Sequence, residues 1–181
     1  MGRKRNMPEY NGVKFDSEEE LHFVYWLEDL NIPYEYHPEP LILSDSVYTY
    51  EEVQLKTKTK TVRHTLLRPC TYGADFKIKV TDMDVGIYKM TKWLSDSKDI
   101  YIDIKGRFGA NSQDGAKFSI VQKWTYQRHG IYVNKVIPEY LFNETFCPTR
   151  CRYTKTGKPK KAYLKCDTIE QFKERTKNEV C

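Results

Sequence analysis

The sequence lacks any apolar run of the length, about 20 residues, that a helix needs to cross a bilayer. It also lacks an apolar segment behind its basic N-terminus, so we expect no secretory signal, no membrane partner and a cytoplasmic location. With 39% hydrophobic and 30% charged residues, the 181-residue chain has the composition of one globular domain.

Three further absences reduce the number of functional classes that the sequence supports. No Ser, Cys or His is placed in a convincing nucleophilic triad, no internal repeat is present, and no helix-turn-helix or other sequence-reading module is recognisable. A hydrolytic activity would therefore use a water activated by the site rather than a protein nucleophile.

The cysteines number five, and this odd count without a secretory signal favours a reducing compartment. Cys147, Cys151 and Cys166 leave two interpretations open. They are three ligands of a structural zinc site whose fourth ligand is not obvious, or they are unrelated thiols in a small C-terminal β element.

Positive charge is concentrated near the C-terminus. The net charge is +5, and residues 150–165 contain seven Lys or Arg and no acid. Such a block favours contact with the phosphates of a nucleic acid, and the alternative is a solvated surface segment. The residues of this block that we expect to bind nucleic acid are Arg150, Arg152, Lys158, Lys160 and Lys161.

Hydrophobic periodicity predicts a mixed α/β fold. The first helix is expected over 15–30, with Asp16 or Ser17 as its N-cap, and an extended edge segment is expected over 34–43. The further elements are expected as strands at 73–80 and 100–105, a helix at 114–129, a strand at 131–137 and a terminal helix at 168–177, with an insertion at 81–99 and a loop at 106–115. On the 114–129 helix, Lys117 and Lys123 are candidate nucleic-acid contacts, and ordinary surface residues are the alternative.

A Lys/Thr alternation within residues 47–67 predicts a long exposed strand or hairpin arm. Lys56, Lys58 and Lys60 would lie on one side of this arm. They would follow a nucleic-acid backbone, or they would protect a free strand edge from pairing.

Two aspartates lie in alternating β-branched runs. Asp103 and Lys105 are two residues apart and would leave the same face of a strand, whereas Ile100, Ile102 and Ile104 would leave the other face as core. Asp75 would similarly share a face with lysines of its own strand, and a surface ion pair is the alternative for each aspartate.

Glu20 points into the apolar stripe of the first helix, beside Phe23 and Leu27. An inward carboxylate is costly unless a cation or a donor meets it. Ser17 and Glu20 also have the spacing of a capping box, so capping and catalysis are both open for Glu20.

Such acids suit one chemistry. Two carboxylates and a backbone carbonyl can hold Mg²⁺ while leaving positions for water. The ion would lower the pKa of a bound water and neutralise charge on a phosphodiester transition state, and a lysine beside that water could orient it.

Asp75, the tripeptide Asp103-Ile104-Lys105 with Gly106 behind it, and Glu20 on a preceding helix resemble the PD-(D/E)xK nuclease superfamily, in particular the small phage-encoded endonucleases near the junction-resolving enzymes. Ala74 stands where the superfamily name has a proline. The resemblance implies a restriction-endonuclease-like core of helix, three strands, helix and strand. It also implies that Asp75, Asp103, the Ile104 carbonyl and Glu20 surround the metal and that Lys105 positions the attacking water.

The resemblance, with the charge pattern, leads to one expected organisation and function. Residues 1–14 would be a basic flexible arm, 15–138 the nuclease core with a β arm at 44–70, and 139–181 a basic extension packed on the core. We expect an Mg²⁺-dependent DNA endonuclease, with Mn²⁺ as an alternative ion and no organic cofactor, acting on branched DNA as a homodimer in the host cytoplasm. The alternatives are a sequence-specific restriction or homing endonuclease and a non-catalytic nucleic-acid-binding phage protein.

Overall fold

The computed structural model describes residues 7–79, 99–106, 113–154 and 156–179, which form a mixed α/β structure. The helices are α1 (Glu18–Asp29), α2 (Gln113–His129), α3 (Pro138–Glu144) and α4 (Ile169–Glu179). The strands are β1 (Glu9–Tyr10), β2 (Val13–Lys14), β3 (Tyr34–Tyr36), β4 (Leu41–Ser44), β5 (Val47–Gln54), β6 (Thr59–Leu67), β7 (Cys70–Tyr72), β8 (Phe76–Lys79), β9 (Asp99–Ile104) and β10 (Val133–Val136). The predicted insertion at 81–99, except Asp99, and most of the predicted loop at 106–115 lie outside the described residues.

Four strands form the central sheet, in the order β10-β9-β8-β3. The pairs β3–β8 and β8–β9 are antiparallel, whereas β9 and β10 are parallel. A parallel neighbour requires a crossover connection, and α2 lies in the connection between β9 and β10. The prediction of an α/β class is confirmed. The central sheet and its two helices occur along the chain in the order α1, β3, β8, β9, α2 and β10, with β4–β7 inserted between β3 and β8.

The core forms where the apolar face of α1 packs on the sheet. Phe23 and Trp26 are fully buried, and the Phe23 ring meets that of Phe76 edge-on with 5.2 Å between centroids. Ile100, Ile102 and Ile104 are all buried, as their alternation predicts.

Ser17 begins α1, where its side chain accepts a hydrogen bond from the Glu20 N–H, as predicted. Asn31, with φ of 55°, stops the helix. Residues 9–14 were expected within a flexible arm and instead form the β1–β2 hairpin, because Asn11 and Gly12 adopt the positive φ values that a tight hairpin turn needs. Pro138 was expected only to end a strand, but it also opens α3, where its fixed φ suits the first helical position.

The exposed hairpin β5–β6, which we call the β arm, spans Val47–Leu67 and forms a two-stranded sheet of its own. This confirms the predicted arm. Val53 and Val62 are the residues of its two strands that are partly buried, and all the others are exposed.

The three C-terminal cysteines lie in the core. Cys147, Cys151 and Cys166 are buried thiols, and burial raises the pKa of Cys147 to about 12. Within the described ranges, their sulfurs do not lie close enough together to share an ion. The interpretation as unrelated thiols fits this geometry, although the thiols belong to the main core rather than to a small β element.

None of the described helices combines the length and the apolar character that a helix needs to cross a bilayer.

Candidate metal centre

Asp75 and Asp103 meet across the two central strands. The antiparallel register pairs Phe76 with Ile102, and the Asp75 N–H donates to the Ile102 carbonyl at 3.1 Å. One further step in this register sets Asp75 opposite Asp103. The Asp75 side chain then reaches β9, where its Oδ2 accepts a hydrogen bond from the Ile104 N–H at 2.6 Å.

Lys105 completes the group on the same face of β9. Its Nζ lies 2.6 Å from Oδ2 of Asp103, whose side chain is only 5% exposed. The interpretation of Asp103 as an exposed acid of an amphipathic strand does not fit this burial. A buried carboxylate is costly unless it is paired or coordinates a metal, and here an ammonium group meets it.

The Ile104 carbonyl is the remaining predicted ligand. In a strand, the N–H and C=O of one residue point towards the same neighbouring strand. Because the Ile104 N–H points to Asp75, the Ile104 carbonyl is directed to the side on which that carboxylate lies.

The raised pKa of Asp75 indicates that the positive charge near it only partly balances the negative charge. Burial, followed by repulsion from Asp103, raises the pKa of Asp75 to about 7, and the charge of Glu20 adds to the rise. The Ile104 N–H and the Lys105 ammonium oppose the rise without cancelling it. A divalent cation between the carboxylates would remove the repulsion and favour the ionised form.

Two buried polar atoms at this site have no hydrogen bond of good geometry among the described residues, namely Oδ2 of Asp103 and the hydroxyl of Tyr72. Buried polar atoms are nearly always satisfied, and Oδ2 of Asp103 has only its charge contact with Lys105, so this oxygen marks a place where an ion or a ligand could bind. The hard oxygen donors of Asp75, Asp103 and Ile104 fit Mg²⁺ or Mn²⁺.

Glu20 is buried beside this group, but its carboxylate is already bonded. Oε1 accepts from the Ser17 hydroxyl at 2.9 Å, and Oε2 accepts from the Asp16 N–H at 3.0 Å and the Tyr36 hydroxyl at 2.7 Å. Glu20 thus has the predicted role at the helix start in a modified form, because its carboxylate accepts from the Asp16 N–H and the Ser17 hydroxyl and not from the Ser17 N–H of a capping box. Glu20 contributes charge to the surroundings of Asp75, while its oxygens hold the start of α1.

Among the described residues, one set of three potential metal ligands has ligand atoms that all lie within 4.8 Å of one another. These residues are Asp16, Glu20 and His37. The Glu20 oxygens in it accept three hydrogen bonds, and His37 lies 3.6 Å from Asp16 on the exposed side. The group therefore serves the helix start, and the pair Asp75 and Asp103 is the better candidate for a metal.

Sequence reasoning missed two charged residues at the end of β9. A Cβ placed on Gly106 would lie 3.6 Å from Oε1 of Glu19, so this carboxylate borders the residue that follows Lys105. Lys135 on β10 is paired in register with Asp103 and is exposed. The sequence places Lys135 on the fourth strand but does not give its register against Asp103, and the position of Glu19 depends on the angle of α1 to the sheet.

The predicted nucleic-acid contacts divide into two groups. Lysines at the tip of the β arm, on α2 and in the C-terminal segment are exposed, apart from Lys160, which is partly buried beside the Tyr163 ring. The exposed ones are Lys56, Lys58, Lys60, Lys117, Lys123, Lys158 and Lys161.

The two arginines of the basic block have contacts within the chain. Arg150 bonds Glu28 at 2.7 Å and Asp29 at 3.0 Å. Arg152 donates to the carbonyls of Cys166 and Asp167, each at 2.6 Å. Both arginines therefore hold the C-terminal segment in place, so we leave them out of the proposed DNA surface.

Comparison of the chain with protein-family models, characterised proteins and solved structures finds no match. The geometry of Asp75, Asp103 and Lys105 is therefore the feature of the chain that bears most directly on its function.

Proposed function

We propose that the protein is a divalent-metal-dependent endodeoxyribonuclease of the PD-(D/E)xK type with a restriction-endonuclease-like core. The observation that carries the proposal is the apposition of Asp75 and Asp103 on adjacent antiparallel strands, with Lys105 on the same face as Asp103. The element order from α1 to β10 supports it, because that order is the one expected of this core.

In this mechanism Asp75 and Asp103, with the Ile104 carbonyl, would hold the Mg²⁺ ion. When bound, Mg²⁺ supplies a water of lowered pKa and neutralises charge on the phosphate. Lys105 would leave Asp103 to orient this water and to stabilise charge on the phosphate oxygens. The attacking water would give one proton to the solvent as its oxygen bonds to phosphorus, one P–O ester bond would break, and the leaving oxygen would take a proton from the solvent.

The DNA surface would consist of the exposed lysines named above. The β arm lies between β4 and β7 in the chain, forms a two-stranded sheet of its own, and carries Lys56, Lys58 and Lys60 at and beside its tip. A two-stranded hairpin is only marginally stable alone, so a bound partner such as a duplex would stabilise it. Lysine contacts with phosphates carry no sequence information, which favours recognition of DNA shape over a restriction-type reading of bases.

Branched DNA is the substrate class we propose, with a homodimer cutting two strands symmetrically. The test compares supercoiled plasmid, linear duplex and a four-way junction, each incubated with Mg²⁺ or with EDTA. Preferential cutting of the junction supports this substrate, whereas cutting at one sequence in linear duplex would support the restriction-type alternative.

Two variants separate an enzyme from a DNA-binding protein. Asp75→Asn and Asp103→Asn should abolish cutting and Mg²⁺ binding measured by calorimetry, while DNA affinity in EDTA stays the same. Asp99→Asn is the matched control, because Asp99 lies on the same strand but pairs with Lys77 at 3.5 Å. DNA binding by a wild type that neither cuts nor binds Mg²⁺ would contradict the proposal and support a non-catalytic function.

A further inference from the structure

Tyr72 brings a second unsatisfied group to the candidate metal centre. Its hydroxyl lies beside the Asp103 carboxylate, and neither this hydroxyl nor Oδ2 of Asp103 makes a well-oriented hydrogen bond within the described part of the chain. An unpaired buried hydroxyl typically costs about 1–3 kcal/mol, so its retention at this place needs a reason.

Tyr72 is held by a different sheet from the central sheet that carries Asp103. Tyr72 ends β7, and its backbone pairs with Leu41 of β4 rather than with the central sheet. Two residues later the chain enters the segment that carries Asp75. The ring therefore approaches Asp103 from a neighbouring sheet, and its position does not depend on Lys105.

Lys105 cannot perform two tasks at once. Its Nζ lies 2.6 Å from Oδ2 of Asp103, and the proposed reaction requires the same ammonium at the water or the phosphate. When the ammonium leaves, Oδ2 loses its cationic contact, and the carboxylate becomes free to rotate away from the ion.

We propose that Tyr72 is a positioning residue whose hydroxyl donates a hydrogen bond to Oδ2 of Asp103 once Lys105 leaves this oxygen, either because a bound ion displaces the ammonium or because the ammonium moves to the reacting groups. The inference rests on the proposed nuclease function and deepens it. The hydroxyl keeps the carboxylate oriented towards the metal, as the outer hydrogen bonds of metal ligands generally do. A phenol hydroxyl has one O–H to donate, so Tyr72 can supply this bond while the carboxylate accepts it.

The test is Tyr72→Phe, which removes the hydroxyl and keeps the ring. Because losing an outer hydrogen bond of a metal ligand typically costs 10–100-fold, we expect Mg²⁺ affinity, measured by calorimetry without DNA, to fall by about that factor. At saturating Mg²⁺, kcat should fall about tenfold or more, with KM for the DNA unchanged, because the contact acts at the metal and not on the DNA. The melting temperature of the metal-free protein should not fall, since the hydroxyl has no well-formed bond to lose.

Tyr34→Phe is the matched control. Tyr34 is also partly buried in the central sheet, where its ring packs on Phe76, but it belongs to the edge strand β3. This variant should keep wild-type metal affinity and kcat.

The outcomes separate this inference from the proposed function. A wild type that neither binds Mg²⁺ nor cuts DNA would overturn both. If the wild type does both, Asp103→Asn does neither, and Tyr72→Phe matches the wild type within twofold, the inference on Tyr72 alone is wrong. A fall in melting temperature without a change in metal affinity would also overturn it, because the hydroxyl would then be purely structural.

Discussion

The Nζ of Lys105 lies 2.6 Å from Oδ2 of Asp103, and the two side chains leave the same face of β9. In the metal-free protein, the ammonium group thus supplies the positive charge that a metal ion would supply at Asp103. It stabilises a carboxylate that is nearly inaccessible to water, and it must compete with any metal ion that the same oxygen binds.

Lys105→Met should separate these two effects. We expect the cleavage rate at saturating Mg²⁺ to fall about 10²–10³-fold, because a charged group that stabilises the transition state is lost. Mg²⁺ affinity should stay the same or rise, since the ion no longer competes with the ammonium for Asp103. Single-turnover cleavage and calorimetry measure the two quantities, and Lys77→Met on β8 is the control. Mg²⁺ binding that is lost together with activity would show that Lys105 maintains the site rather than acting in the reaction.

Asp75 should make the stability of the metal-free protein depend on pH. Its folded-state pKa is about 7, above the ordinary value of 3.8, so the folded state binds more protons than the unfolded state between these values. The free energy of unfolding should therefore fall as pH rises from about 4 to 7 and change little from this group above that range. We expect Asp75→Asn to unfold less readily than the wild type at pH 8, by about 1–3 kcal/mol, without a comparable gain at pH 4.

Mg²⁺ should reverse this destabilisation in the wild type alone. The ion removes the repulsion between the carboxylates, so the wild-type melting temperature at pH 8 should rise with Mg²⁺ concentration, whereas that of Asp75→Asn should not. Thermal melts at pH 4 and 8, with and without Mg²⁺, test both statements. Equal responses of the two proteins to Mg²⁺ would place the ion elsewhere.

Substitutions of Glu20 should affect the stability of the protein, whereas a substitution of Glu19 should affect the cleavage rate. Glu20→Ala removes the acceptor at the helix start and should lower the free energy of unfolding by about 1 kcal/mol, whereas Glu20→Gln keeps an acceptor and should retain most of it. Glu19→Gln should leave stability unchanged and lower the cleavage rate, because this exposed carboxylate borders Gly106 at the end of β9. Urea titrations and cleavage assays on the three variants check this, and a rate loss confined to Glu20→Gln would reverse the two assignments.

Strand alternation in the sequence predicts the part of this site that lies on one strand. The positions of Ile100, Ile102 and Ile104 assign Asp103 and Lys105 to one face of β9, and the structure has that arrangement. Alternation within one strand does not fix the register between strands, so the proximity of Asp75 to Asp103 could only be expected from the resemblance. The approach of Tyr72 from β7 depends on two sheets meeting and leaves no sequence pattern.

The density of basic residues did not predict the contacts that Arg150 and Arg152 make within the chain. A run of basic residues predicts a surface for phosphates, but it does not reveal which guanidinium groups have partners elsewhere in the chain. The acids Glu28 and Asp29 that bind Arg150 end α1, more than 120 positions earlier. Such long-range pairs are a property of the folded chain alone.

The exposed lysines of the β arm and the paired Arg150 should therefore give opposite results. Replacing Lys56, Lys58 and Lys60 together with Ala should weaken DNA binding and reduce the slope of log K against log salt by up to about 3, near 0.9 for each lost phosphate contact. Arg150→Ala should instead lower the free energy of unfolding by about 1–3 kcal/mol, because Glu28 and Asp29 at the end of α1 lose the charged hydrogen bonds from the guanidinium group. DNA titrations between 50 and 300 mM salt, together with urea unfolding, separate the two losses. A salt slope that stays unchanged in the triple variant would show that the β arm does not contact the phosphates.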